Sequence, residues 1–143
     1  MSTALPLRAG ATSAASPANA ALVPLVGRIA ISAIFVLSGL SKLAAPAATI
    51  GYIQSAGLPL PQIAFALAVL VELGGGVALI AGYRTRAVAG ILALFSVATA
   101  FAFHHDLADQ NQFIHFFKNI AMAGGLLQVI AFGAGSLSLD ARR

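Results

Sequence analysis

The sequence predicts an all-α membrane protein: a four-transmembrane-helix bundle running up-down-up-down, with a short interfacial helix between spans 1 and 2. Three observations lead there. Hydrophobic residues make up 59% of the 143-residue chain and charged residues only 8%, whereas a soluble domain carries about 25% charged residues to build its wetted surface. Four apolar stretches, about 23–43, 62–82, 87–104 and 113–133, each approach the roughly 20 residues that a helix needs to cross the hydrocarbon core. Short connections make sequential helices antiparallel neighbours.

Residues 1–21, "MSTALPLRAGATSAASPANAA", are rich in Ala, Ser, Thr and Pro and read as a disordered cytoplasmic tail. "ANA" before Ala21 has the small residues of a signal-peptidase site, but no apolar run precedes it, so cleavage is not expected. Residues 22–135 form the transmembrane domain, and 136–143 a cytoplasmic C-terminal tail. Between spans 1 and 2, residues 47–56 are expected to lie in the interface as a short helix, with Gly57 as its stop and "LPLP" opening the next span. The turn "YRTR" joins spans 2 and 3, and the polar loop "FHHDLADQNQFIH" joins spans 3 and 4. A faint echo between "ELGGGVALIAG" and "AMAGGLLQVIAFG" hints at two related hairpins.

Charge sets the expected orientation. Arg8, Arg84, Arg86, Arg142 and Arg143 fall on one side, and Lys42, Asp106 and Asp109 on the other. The positive-inside rule then puts both termini in the cytoplasm, as a multi-pass protein of a bacterial inner membrane. The net charge of +4 does not signal nucleic acid, because the basic residues are dispersed and not interleaved with aromatics. The absence of cysteine excludes disulfides, iron–sulfur clusters, thiolate zinc and thiol redox chemistry, so a redox role needs a borrowed cofactor.

Polar residues inside the bilayer are the candidates for function. Arg28, Phe35 and Lys42 are spaced by seven, with Gly39 near the same line. Glu72, Gly75, Gly76, Leu79 and Tyr83 share a face of the second span, and His115, Lys118, Asn119, Met122 and Gly125 a face of the fourth. Counting the helix rise puts Glu72 near the midplane, with Lys118 and Arg28 each roughly 7–8 Å from it along the membrane normal. Lys42 comes out roughly 13 Å away and is expected to snorkel to the outer interface. An unpaired carboxylate in hydrocarbon would protonate, so Glu72 is expected to be neutral or paired with Lys118 or Arg28. It either locks the helices together or belongs to a proton, ligand or quinone site.

The loop after span 3 gathers His104, His105, Asp106, Asp109 and His115. Imidazole and carboxylate are metal-binding chemistry, and His104 with His115 is a conceivable haem pair, but the spacing matches no fixed ligand set. The expectation is a polar membrane-surface loop without metal or haem, in which His104 or His115 exchanges protons beside Lys118.

In order and spacing, "GRIAISAIFVLSGLSKL", "AGLPLP", "VELGGGVALIAGYRTR", "FAFHHD" and "QFIHFFKNIAMAGGLL" resemble the DoxX family of small four-helix inner-membrane proteins, over about residues 24–140. The resemblance assigns the family's first-helix arginine and its G-x-x-K ending to Arg28, Gly39 and Lys42. Its second-helix glutamate, following glycine and G-x-x-x-R exit fall on Glu72, Gly75, Gly82 and Arg86. Its third-helix histidine and fourth-helix K-N fall on His104, Lys118 and Asn119.

Some relatives are membrane subunits of a thiosulfate:quinone oxidoreductase. Others are linked to terminal quinol oxidases, or to assemblies with superoxide dismutase and a sulfurtransferase-like protein. The resemblance therefore implies the membrane subunit or anchor of a quinone-linked redox assembly. In it, Glu72, Lys118 and His104 would transfer protons or hydrogen-bond a quinone, while Arg28, Lys42, Asn119 and His115 help hold it. Electrons would come from a soluble or membrane redox partner, and the protein would contact lipids and associate with its own copies. The alternatives are a small proton-coupled or lipid-handling transporter and a non-catalytic scaffold.

Overall fold

Proline and glycine punctuate this chain where the helices begin and end. The computed structural model describes residues 17–143, with side chains from residue 21 onward. It contains α1 (Pro17–Ala44), α2 (Pro46–Ser55), α3 (Pro61–Ala81), α4 (Thr85–Phe103) and α5 (Gln110–Phe132), and no strand among the described residues. Pro46 and Pro61 each stand at the start of a helix, where a missing N–H is harmless and the fixed φ already suits the helix. Gly57, at φ +76°, turns the chain after α2 as expected. Gly82, at φ +69°, ends α3, and a Cβ there would also collide with the Arg28 guanidinium and Ser138.

The four long helices are each long and apolar enough to cross a membrane, and α2 is the short helix between the first two. The stretch expected as an N-terminal tail lies outside the described residues up to residue 16, and α1 already begins at Pro17. Large side chains such as Leu37, Leu94 and Phe132 point outward, as they must where the surroundings are hydrocarbon.

Inside, Phe35, Leu79, Leu92, Ala123 and Leu126 form the core. Glycines set how closely α1 and α3 approach. A Cβ on Gly39 would fall 2.7 Å from Leu73 Cγ, and one on Gly76 would fall 2.8 Å from Val36 Cγ2. Small residues at such crossings let backbones meet where there is no hydrophobic drive to association.

Two features were not expected. First, α3 is interrupted by a π turn over Leu70–Gly74, where the helix widens around Glu72. Beyond that turn Gly75–Ala81 packs on both α1 and α4, whereas Pro61–Val69 keeps company with α1 and α2 only. The π turn thus marks where α3 parts from α4.

Second, the stretch expected as a C-terminal tail folds back onto the bundle. Leu139 N donates to Ala81 O at 3.1 Å and Asp140 N to Gly82 O at 2.9 Å. The Asp140 carboxylate accepts the N–H groups of Arg84 and Thr85, each at 2.8 Å. It caps α4 from far along the chain, placing negative charge at the positive end of the helix dipole.

Candidate functional site

A cavity of about 810 Å³ lies in the half of the bundle roofed by α2. Its walls come from α1, α3, α4 and α5 and are mostly apolar, with Phe35, Val71, Phe95 and Met122 among them. The roof is held by Ile53, which is buried, and by Tyr52, whose ring stacks on Phe103 with centroids 5.4 Å apart. Ser38, Lys42, Glu72, His104, Lys118 and Asn119 are among the polar side chains that line this space. A mostly apolar pocket with a few convergent polar groups is the general form of a small-molecule site.

Glu72 sits at the centre of the π turn and is only 5% exposed. Its partner is Lys42, whose Nζ stands 2.9 Å from both carboxylate oxygens. The ammonium also donates to Ser38 Oγ at 2.8 Å, and that hydroxyl donates to Glu72 Oε1 at 3.1 Å. Oε1 therefore receives two directed hydrogen bonds, while the buried Oε2 meets the ammonium without a well-aligned one.

This corrects the expected pairing of Glu72 with Lys118 or Arg28, and the expected snorkelling of Lys42. The depth count assumed an unbroken α-helical rise in span 2 and both helix ends at one level. Instead α3 carries the π turn, and the Lys42 stem runs alongside α1 to the Ser38 hydroxyl one turn below.

The opposite wall is built by α5 and the end of α4. His104 follows the last residue of α4, and its ring stacks on His115 with centroids 5.0 Å apart. Lys118 Nζ lies 2.8 Å from His115 Nδ1. With the ammonium donating, Nδ1 accepts and the imidazole proton resides on Nε2. Asn119 is buried and donates through Nδ2 to His115 O at 3.0 Å, which leaves its amide oxygen and one N–H uncommitted. Burial, and then the adjacent His115 ring and Lys118 ammonium, hold the His104 imidazole below its ordinary value, so the neutral ring is favoured.

Of the residues singled out in the sequence, Glu72, Lys118, His104, Lys42 and Asn119 line one cavity, and His115 adjoins it through Lys118 and His104. Arg28 is not among them. It lies two heptads before Lys42, about 21 Å along a helix. There it is 1% exposed and donates to Leu79 O at 3.3 Å and Leu137 O at 2.5 Å, tying α1 to the end of α3 and to the returning C-terminal segment. Ser38 was missed, although its position one turn before Lys42 on the polar stripe is a signal that periodicity carries. Among the described residues, no three His, Asp or Glu side chains converge as a metal-ligand group.

Comparison with known proteins now adds relationship to this geometry. The DoxX family model matches residues 23–105. The chain is 35% identical over 116 residues to the inner membrane protein YqjF of Escherichia coli (strain K12), covering 81% of this chain and 88% of that protein. It is 33% identical over 124 residues to the inner membrane protein YphA of the same organism, covering 82% of this chain and 88% of the relative. No solved structure matches the chain. With the family model matched over more than half of its length and two relatives aligned along most of theirs, this protein belongs to the DoxX family.

Proposed function

We propose that this protein is the inner-membrane subunit of a quinone-linked redox assembly and that its cavity holds a quinone headgroup. The observation that carries the reading is the buried Glu72 carboxylate, with Oε2 lacking a directed donor, in an apolar cavity it shares with Lys42, Lys118, Asn119 and His104. Two carbonyl or hydroxyl oxygens on a flat apolar ring need such a set: donors on either side, a carboxylate that takes or returns a proton, and walls without water.

The fit is a chemical one. A bound quinone supplies two-electron, two-proton chemistry. The chain's own residues bind and orient the ring: Lys42 and Asn119 are placed to donate to its oxygens, and Glu72 is the buried group able to hold a proton beside them. The stacked His104 and His115, with Lys118, connect the cavity to the polar loop and provide the path by which protons exchange with water. Without cysteine, the chain depends on a soluble or membrane partner for electrons.

In this reading the protein lies in the inner membrane, as its relatives' names state for them. Both termini face the cytoplasm, because Arg84, Arg86, Arg142 and Arg143 gather at one end of the bundle, opposite the loop bearing Asp106 and Asp109.

The test is binding of decylubiquinone to the purified protein in lipid nanodiscs. Saturable binding that Glu72→Gln weakens about tenfold supports the reading. Wild-type protein that takes up no more quinone than empty nanodiscs sinks it, and the lipid-handling transporter then becomes the reading to pursue.

A further inference from the structure

We infer that the ligand of this cavity is an amphiphile already dissolved in the bilayer, which slides in between α3 and α4 and leaves its apolar chain in that gap. The inference deepens the proposal that the cavity is a binding site, and it rests on that reading. Its starting point is an overlap between two properties that normally exclude each other. Leu67 of α3 and Ile91 and Leu94 of α4 are 55%, 55% and 72% exposed, which makes them lipid-facing in a membrane. The same three side chains line the cavity. A wall residue that also faces lipid marks a place where the wall is open.

The backbone explains the opening. Below the π turn, α3 and α4 are closed against each other, and a Cβ on Gly75 would come within 2.9 Å of Leu92 Cδ2. Above it, Pro61–Val69 follows α1 and α2 instead of α4. The π turn lets one helix serve two neighbours, and a wedge between α3 and α4 is the result. Alanines line the wedge, with Ala64 and Ala68 on one side and Ala98 and Ala102 on the other. Their small side chains keep it wide.

The chemistry of the gap names the ligand class. Leu67, Ile91, Leu94 and these alanines offer no hydrogen-bonding side chain, so what lies among them is hydrocarbon. The polar groups begin deeper, at Glu72 on α3 and at Lys118 and Asn119 across the cavity. A molecule with a polar head and a single apolar chain of isoprenoid or acyl type satisfies both regions at once. A fully water-soluble ligand would leave the gap to lipid tails.

The chain contains no tryptophan, so one introduced indole reports on its own surroundings. Met122→Trp places it on the far wall of the cavity, and Leu127→Trp on the exposed face of the same helix serves as the lipid-facing control. Both are reconstituted in phosphatidylcholine vesicles with plain or brominated acyl chains. The expected result is that Met122→Trp loses about half its emission in the brominated lipid. Adding Ala98→Phe, which fills the wedge, should restore most of that emission while leaving the Leu127→Trp signal unchanged. Phe95→Trp, aromatic for aromatic on the cavity wall, replaces Met122→Trp if the latter does not fold.

Equal emission in the two lipids overturns the inference, as does quenching that Ala98→Phe leaves untouched. No quinone is present in this experiment. An unquenched cavity wall would therefore sink the side opening while decylubiquinone binding stood, and the reverse result would sink the quinone reading alone.

Discussion

The Lys42 ammonium holds the Glu72 carboxylate by both oxygens at 2.9 Å, with the Ser38 hydroxyl closing the group from one turn below on α1. This pair joins the first two spans at the depth of the π turn. Truncating either member leaves the other charge without its partner, so Lys42→Met and Glu72→Gln should each destabilise the protein by about 1–3 kcal/mol, with the low end set by the partial exposure of Lys42. The double variant should lose less than the sum of the two. Thermal unfolding of the four proteins in one detergent measures this, and strictly additive losses would show that the two side chains do not interact.

Gly39 is where α1 lets Glu72 approach. Its absent Cβ would lie 2.7 Å from Leu73 Cγ and 3.3 Å from Glu72 Cβ, so Gly39→Val must push the π turn away. The expected loss is about 1–3 kcal/mol. Gly124→Val, at a site where a Cβ meets nothing within 4 Å, should be nearly silent in the same melt. Equal effects at the two glycines would contradict the close crossing.

Asp140 ties the end of the chain to α4 and gives stability an acid limit. The Thr85 N–H, then the Arg84 N–H and the Arg143 charge, hold its carboxyl below the usual range. A carboxylate favoured by the fold contributes stability above its unfolded value, near about 3.9, and loses it as pH falls through the lower folded value. Asp140→Asn should therefore melt lower than the parent at neutral pH, and the gap should narrow towards about pH 3. A gap that is constant across this range would mean that the charge is not what matters.

His104 adds a second acid-sensitive contribution of the same sign. Burial, with the His115 ring and the Lys118 ammonium beside it, favours the neutral ring, so the unfolded chain binds the extra proton and stability rises with pH across the ordinary imidazole value, about 6.5. His104→Gln should remove part of the drop in melting temperature seen on acidification from about pH 7 to 5. An unchanged slope would show that His104 titrates as a solvated surface residue.

Much of this architecture was legible because a membrane imposes it. Four runs of apolar residues became four helices, Gly57 marked the end of the short helix, and the "LPLP" stretch opened the next span. Glu72, Lys118 and Asn119 stood out as polar groups at span depth and His104 as a residue of the adjoining loop, and they do meet in one cavity. The partner of Glu72 was not legible. Nothing in "LVELG" announces a π turn, and residue counts do not tell how α1 and α3 are offset against each other. The depth count put Arg28 within reach of Glu72 and Lys42 beyond it, whereas Arg28 bonds at the end of α3 and on the returning C-terminal segment. Its acceptors, Leu79 O and Leu137 O, are backbone atoms, and residue identity says nothing about those. The capping by Asp140 escaped notice for the same reason.

The central claim is that the space between Glu72 and Asn119 receives a quinone headgroup. The measurement that meets it most directly is photolabelling of the nanodisc-embedded protein with an azido-quinone, followed by mass spectrometry of the modified peptides. The account predicts label on residues facing the cavity, in the Val71–Glu72 and Asn119–Met122 stretches, lost when excess decylubiquinone competes. Label scattered over the outward faces of the four helices, or label that excess quinone does not displace, would contradict it.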